Sequence, residues 1–260
     1  MSDSQILYGI RKNIAYIFFN RIEAMNAINR DMLEALDKAL DRAEEEDLAR
    51  AVIITGKGDK AFSAGADIRK LNNSMPVEVR EAAKLAIKIN KKIEDFKKPV
   101  IAAINGTAMG GGLEIAEACL IRIAVKGARM GHPEVKLGTI AGWGGTTRLP
   151  RLIGRARAEE MLLTGRSITA EEALNMGLVH KVVEPKELID EAIGVTWEIL
   201  EAGPIAVRMT LEAIRKGLGS SVEGSLAFGA EYMARTSMTE DFKEGTKAFL
   251  EKRKPNFQGK

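Results

Sequence analysis

Short β-rich runs alternate with stretches of helical period along the first 183 residues and then stop, so the chain has to build a strand–helix core and finish in helices. Residues 14–19 (IAYIFF) and 51–54 (AVII) read as strands, and between them Asn29 to Glu46 sets Met32, Leu33, Leu36, Ala39, Leu40 and Ala43 on one helical face. A helix over about 77–95 leads to the next run, Pro99 to Ile104, and Leu120 to Val125 follows a segment opened by three glycines. Thr169 and Glu172 form a capping box that opens a helix ending at Gly177, and Leu178 to Val183 reads as a further strand. Beyond about residue 186 three helical stretches remain, over roughly 186–201, 204–216 and 221–252, the second bounded by Gly203-Pro204 and Gly217. Leu226, Phe228, Met233, Phe242 and Phe249 give that tail more apolar surface than a free helical appendage leaves in water, which implies packing against the core or a partner subunit. The expected division is a core over residues 1–195 and a C-terminal helical region over 196–260.

Composition narrows the function classes. The 39 basic and 36 acidic side chains leave a net charge of +3, well short of the one-sided field that nucleic-acid binding needs. One cysteine, Cys119, allows neither an internal disulfide nor a cysteine-rich zinc site, and the two histidines, His132 and His180, lack HExxH spacing, so no metal is expected. No apolar run reaches the roughly 18 residues of a membrane span, and the start MSDSQILYGIRKN has neither a signal-peptide core nor a transit pattern. A soluble, cytoplasmic protein with no membrane partner is the expectation.

Ten of the 25 glycines fall between Gly106 and Gly145. Tight turns account for many glycines. The run Gly110-Gly111-Gly112 asks for more, because it stands after one strand and before Leu113-Glu114-Ile115-Ala116, where bare N–H groups at a helix start face an anion or a developing oxyanion. A second small-residue loop, Phe62-Ser63-Ala64-Gly65-Ala66-Asp67, follows strand 51–54 in the same sense, so both loops are expected at one end of the sheet. Asp67 reads as the N-cap of Ile68 to Leu71. Glu114 lies in the first turn of an apolar helix and Glu134 in Gly131-His132-Pro133-Glu134-Val135; each is a candidate acid–base group that only the fold can bring to the other. His132 reads as a hydrogen-bonded structural residue or as one that orders Glu134, and Trp143, between glycines, as a pocket wall or as core. Gly56-Lys57-Gly58-Asp59-Lys60-Ala61 matches GxGxxA but opens no amphipathic helix, which weakens a dinucleotide reading. Lys84, Lys88 and Lys91 or Lys92 form a basic stripe for which a solvated helix face is the plainer reading than RNA contact, since no aromatics are interleaved.

Several longer segments resemble the enoyl-CoA hydratase/isomerase (crotonase) superfamily, with the likeness running from about Ile14 through Lys252. They are NRIEAMNAI (20–28), ITGKGDKAFSAGADIRKL (54–71), KKPVIAAINGTAMGGGLEIAEACLIRIA (97–124), GHPEVKLGTIAGWGGTTRLPRLIG (131–154), LLTGRSITAEEALNMGLVHKVV (162–183) and AFLEKRKPNF (248–257). The resemblance implies an α/β spiral of repeated ββα units with a C-terminal helical trimerisation region, assembled as a trimer or as a hexamer of two trimers. It implies an oxyanion hole made by the N–H groups of Ala66 and Gly111 around the thioester carbonyl of an acyl-CoA. By the same resemblance Ala24, Ala66, Asp67, Ile68 and Arg69 contact the adenosine part of coenzyme A, Gly110 and Gly111 lie at the thioester, and Lys252 meets coenzyme A phosphates across a subunit boundary; Trp143 is added as a candidate substrate contact at the acyl end. Coenzyme A then enters as part of the substrate and no separate cofactor is expected.

Family members that hydrate enoyl-CoA carry glutamates at the positions of Glu114 and Glu134, whereas isomerases commonly keep one. The implied activity is therefore that of a hydro-lyase: reversible syn addition of water to a short-chain trans-2-enoyl-CoA, giving a 3-hydroxyacyl-CoA, with Glu114 as base and Glu134 as acid. A Δ3,Δ2-enoyl-CoA isomerase is the nearest alternative, and an RNA-binding protein on the same fold is the alternative of another class. Ile22, His132, Trp143 and Thr147 depart from the usual family residues, the last three at positions that can border the acyl group.

Overall fold

The apolar runs pair into one six-stranded sheet, and the segments after them supply a second sheet of four much shorter strands. In the computed structural model, which describes residues 4–260, the large sheet has the order β1 (Ile6–Arg11), β2 (Ile14–Phe19), β3 (Ala51–Gly56), then, past the short β4 (Ala61–Ser63), β5 (Val100–Ile104). Beyond β6 (Thr107–Met109) it continues with β7 (Ile121–Val125) and, after β8 (Arg129–Gly131) and β9 (Ser167–Thr169), closes with β10 (Lys181–Val183). Strands β1 and β2 form an antiparallel hairpin, and every later neighbour in this sheet is parallel, with Ile14 opposite Ala51, Val52 opposite Val100 and Ile101 opposite Ile121. All residues of β3 and β5 are buried, which is why their sequences are unbroken apolar runs rather than alternating ones.

The small sheet has the order β4, β6, β8, β9, its first three strands parallel and the last antiparallel. Each of β3, β5 and β7 therefore runs on after a short turn into a strand of the small sheet, and helical backbone follows. This repeated strand–strand–helix unit is the ββα spiral that the family resemblance implies.

The helices are α1 (Arg30–Glu45), α2 (Ile68–Leu71), α3 (Pro76–Glu94), α4 (Gly111–Ala118), α5 (Gly145–Ile153), α6 (Arg155–Thr164), α7 (Ala170–Met176), α8 (Leu188–Leu200), α9 (Pro204–Gly217), α10 (Val222–Ser237) and α11 (Glu240–Leu250). Asn29 caps α1 by accepting from the Met32 N–H at 2.8 Å, and the six apolar residues read onto one face are the buried ones. The Thr169 and Glu172 box forms reciprocally, at 3.1 and 2.8 Å, and α7 ends at Gly177 in the left-handed region.

The structure differs from the sequence reading in several places. The strand read over Leu178 to Val183 is only Lys181–Val183 long, because Leu178 turns back to bond the Ala173 carbonyl at 2.8 Å. The helix read over 221–252 is two helices, broken at Met238 where Thr239 caps α11 through the Phe242 N–H at 3.0 Å. Asp67 stands at the start of α2 but makes no side-chain cap, since its carboxylate pairs with Arg21 at 3.0 Å.

Contacts divide the chain into one unit reaching to Ile193 and another starting at Gly194. Within the second, α9 packs on α10, where Tyr232 accepts from the Lys216 ammonium at 2.6 Å and donates to Glu212 at 3.1 Å. The chain after α11 folds back on that helix, Asp241 accepting from the N–H groups of Gln258 and Gly259 at 2.6 and 2.8 Å.

Candidate active site

The first three strands of the small sheet each end at a loop carrying residues singled out by sequence: β4 leads to Ala64–Asp67, β6 to Gly110–Gly112, and β8 to His132–Glu134. Because the strands are parallel, the loops leave the sheet on the same side. Two of them touch almost without side chains between them. A Cβ added to Gly112 would lie 2.6 Å from the Ser63 carbonyl oxygen, and one added to Gly65 would lie 2.7 Å from the Met109 carbonyl and 3.5 Å from the Gly111 nitrogen. Gly65, at φ +93°, and Gly110, at φ 46° and ψ −125°, hold backbone conformations that L side chains disfavour.

Backbone donors collect at this junction. The Ile28 N–H bonds the Gly65 carbonyl at 2.7 Å and the Asp67 N–H bonds the Ile28 carbonyl at 2.9 Å, which leaves the intervening Ala66 N–H facing the other way. Gly111 is the first residue of α4, so its N–H has no partner within the helix. Among the described residues neither N–H has an acceptor. Asn26, itself left-handed at φ 56°, ties the neighbouring segments together: its side chain accepts from the Arg21 N–H at 3.0 Å and donates to the Lys57 and Ala61 carbonyls at 3.1 and 2.8 Å, and its carbonyl accepts from the Ser63 hydroxyl at 2.8 Å. The Arg21 guanidinium reaches both Asp67 and the Ala27 carbonyl, at 3.0 and 2.6 Å, and so joins the segment bearing Ala24 to the segment bearing Ala66, Asp67, Ile68 and Arg69. Ile68 and Arg69 are exposed beside it.

The glutamates converge through the pairing of β6 with β8, which sets the Gly110 N–H 2.9 Å from the Gly131 carbonyl and brings the residues after each strand side by side. Glu114 is buried, with 1% exposure, and its Oε1 accepts from the N–H groups of Trp143 and Gly145, each at 2.7 Å. Burial pushes its pKa up. The Gly145 N–H and the charge of His132 pull it back, Glu117 and Glu134 push it up again, and it stands at about 7. Glu134 Oε1 occupies the space above Gly110, 2.6 Å from where a Cβ would be, while its Oε2 is buried without a hydrogen-bond partner.

Beneath both acids lies His132, 1% exposed, whose Nε2 is 2.8 Å from Glu117 Oε1 and whose Nδ1 is 3.8 Å from Glu134 Oε1. Gly145 fits only as glycine against this cluster, since an added Cβ would lie 2.9 Å from His132 Cε1 and 3.2 Å from Glu114 Cγ. His132 is thus packed among the glutamates, out of solvent. Sequence reasoning passed over Glu117, although a glutamate one turn beyond Glu114 in an otherwise apolar helix is the signal that marks it.

Trp143 is half-buried and its indole lies against the glycine loop: a Cβ on Gly111 would be 2.3 Å from its Cζ3 and 2.5 Å from its Cε3. Its carbonyl accepts from the buried Asn90 at 3.0 Å, so the residue is pinned on both sides of its backbone. Thr147 is exposed. Lys252 follows α11 in the helical unit, exposed and at φ 55°. Gly56 passes through a turn into β4 and not into a helix. The basic stripe of α3 is neutralised pair by pair: Lys84 meets Glu81 at 3.0 Å, Lys88 meets Asp37 at 3.0 Å, Lys91 meets Asp95 at 2.9 Å, and Lys92 meets Asp37 and Asp41.

A ββα spiral that brings a buried and a half-buried glutamate to a glycine loop bearing free N–H groups has the make-up of an acid–base enzyme acting beside a carbonyl. The chain belongs to the enoyl-CoA hydratase/isomerase family, whose model matches residues 9–260. It is 42% identical over 260 residues to a crotonyl-CoA hydratase of Syntrophomonas wolfei, covering 100% of both chains. It is 44% identical over 241 residues to a short-chain-enoyl-CoA hydratase of Clostridium acetobutylicum, covering 93% of this chain and 92% of the relative. The crystal structure of an enoyl-CoA hydratase from Bacillus anthracis superposes with a TM-score of 0.94 at 40% identity, covering 99% of this chain and 100% of that one.

Proposed function

We propose that the protein is a short-chain enoyl-CoA hydratase, a hydro-lyase that adds water reversibly and syn to trans-2-enoyl-CoA. The observation that carries this reading is the meeting of Glu114 and Glu134 at the Gly110 loop, beside the Ala66 and Gly111 N–H groups. Its relatives named for crotonyl-CoA and short-chain enoyl-CoA support the substrate class. The thioester oxygen is placed between those two N–H groups. As it gains enolate charge they stabilise it without reorganising; one such donor is worth about 3–4 kcal/mol in the transition state. Glu114 takes a proton from water as the oxygen bonds C3, and Glu134 Oε2 delivers a proton to C2 on the same face. A Glu114 carboxyl near 7 exchanges its proton readily at neutral pH, which suits a group that accepts in hydration and donates in dehydration. The reaction so written draws on the chain's own groups, with coenzyme A entering as part of the substrate along Ala24 and Ala66–Arg69.

Trp143 sets the size of the acyl group in this reading, because its indole lies against Gly111 where the acyl chain must leave the thioester. Crotonyl-CoA is expected to lose its conjugated absorbance on addition of enzyme, with rates falling as the acyl chain lengthens, and Trp143→Ala is expected to flatten that fall by roughly tenfold at longer chains. Conversion of 3-enoyl-CoA with no hydration of crotonyl-CoA would make the protein an isomerase instead.

We further propose a trimer or a hexamer of two trimers, supported by the exposure of Leu218, Val222, Leu226, Met233, Met238, Phe249 and Leu250 in the helical unit. Sedimentation equilibrium is expected to give three or six times the 28.3 kDa chain mass, and a monomer at micromolar concentration would reject it. Among the described residues no helix is long and apolar enough to cross a membrane. A cytoplasmic setting belongs to the same reading and is supported by the single cysteine, Cys119, which is buried and free.

A further inference from the structure

Glu117 and His132 are both buried, at 4% and 1% exposure, and bonded to each other at 2.8 Å, yet the hydration chemistry above uses neither. A buried acid–imidazole pair is a poor means of gaining stability, since desolvation cancels most of its attraction and apolar side chains fill such a space as well. Its position is more informative than its strength. His132 directly follows β8, which is paired on one side to β6 and on the other to β9, so the ring has little freedom. With Nε2 engaged by Glu117, the ring directs its otherwise unpartnered Nδ1 at Glu134 Oε1, 3.8 Å away. Glu134 Oε2, on the other side of the same carboxyl group, is buried and also without a partner.

We propose that Glu117 and His132 are a positioning pair for Glu134: Glu117 fixes the imidazole, and the Nδ1–H of the imidazole holds Glu134 Oε1 so that Oε2 faces the reacting carbon. The proposal rests on Glu134 acting as the acid in hydration. When Glu134 gives up its proton the new carboxylate charge forms beside the imidazolium, which stabilises it through Oε1 while the transfer occurs at Oε2. The ionisable groups facing the ring are Glu117 and, through Gly145, Glu114 from α4, and Glu134 from the turn after β8. Burial by itself would lower the pKa of His132, but the charge and hydrogen bond of Glu117, with the charge of Glu134, outweigh it and carry it up to about 10, so the ring is charged at neutral pH.

Two measurements test this. With only two histidines in the chain, His132 can be followed by histidine-selective NMR after His180→Gln removes the other signal. Its titration midpoint is expected to fall by about one pH unit or more in Glu134→Gln, because the charge facing Nδ1 is gone. An unchanged midpoint would overturn the proposal whether or not the enzyme hydrates crotonyl-CoA, whereas a fallen midpoint in an enzyme without hydratase activity would condemn only the reaction assigned to the site. The second measurement exchanges the pair together, Glu117→Leu with His132→Leu, which leaves no lone buried charge. It is expected to lower kcat by roughly 10- to 100-fold with KM within about threefold, and to cause no further loss in a Glu134→Gln background, with His132→Gln retaining more activity than His132→Leu. Losses that multiply with that of Glu134→Gln, or a kcat within about twofold of the parent, would overturn it.

Discussion

Glu114→Gln and Glu134→Gln are each expected to lower crotonyl-CoA hydration by roughly 10²–10⁴-fold with little change in substrate binding, as fits groups that act in the transition state. Glutamine keeps the shape of each side chain and, at position 114, can still accept from the Trp143 and Gly145 N–H groups, so the loss isolates the proton. The pH dependence separates the two residues. If Glu114 is the base of the proposed reaction, the rate is expected to rise with pH through about 7 in the parent, and that limb should vanish in Glu114→Gln.

Stability should move in the opposite direction. A carboxyl raised from 4.5 to about 7 binds its proton more tightly in the folded chain, so its contribution is fully present below about pH 4.5 and is lost as pH rises through 7. Above pH 8 the parent carries a buried carboxylate at a cost of up to about 3 kcal/mol, and the glutamine variant does not. Melting curves at pH 5 and pH 9 are the check. Glu114→Gln is expected to melt several degrees above the parent at pH 9 and close to it at pH 5. A variant that hydrates crotonyl-CoA at near-parental rate would remove that glutamate from the mechanism.

Gly110→Ala carries the second large effect. At φ 46° and ψ −125° the position is one that an L side chain occupies only under strain of about 1–3 kcal/mol. The added methyl would also lie 2.6 Å from Glu134 Oε1, and the far end of that side chain is what must yield. The expected outcome is a folded enzyme whose kcat falls by about 10²-fold or more, because the acid is displaced while both N–H donors remain. Combining it with Glu134→Gln tests the cause: once the displaced group has been neutralised, the alanine should add little to the loss. A double variant losing the product of the two single effects would place the damage in the Ala66 and Gly111 donors instead.

Much of this was legible in the chain. The face of α1, the Asn29 cap, the capping box of α7 and the buried strands β3 and β5 follow from period and cap chemistry, because local physics decides them. The small sheet was not, because β4, β6, β8 and β9 are three residues each, too short to display an alternation, and exist only through pairing with segments far away in sequence. That sheet is what brings Gly110 beside Glu134, so the meeting of the acids was open to sequence reasoning as a possibility and became geometry only with β6 on β8. Asp67 shows the same limit at one residue: its type and place fit a helix cap, and a guanidinium 46 positions away claimed it. Glu117 was overlooked because a lone glutamate on a helix is ordinarily solvated, and its burial depends on a histidine in another turn.

The anchoring of Glu114 by main-chain donors has a bearing on how such an enzyme diversifies. The N–H that grips the carboxylate belongs to residue 143, and an N–H is the same whichever of nineteen side chains follows it. In the proposed reaction the proton chemistry and the shape of the acyl site thus meet at one residue yet are written in different parts of it. Directed evolution toward bulkier or branched thioesters can therefore begin at this position, exchanging the indole freely while the base keeps its alignment.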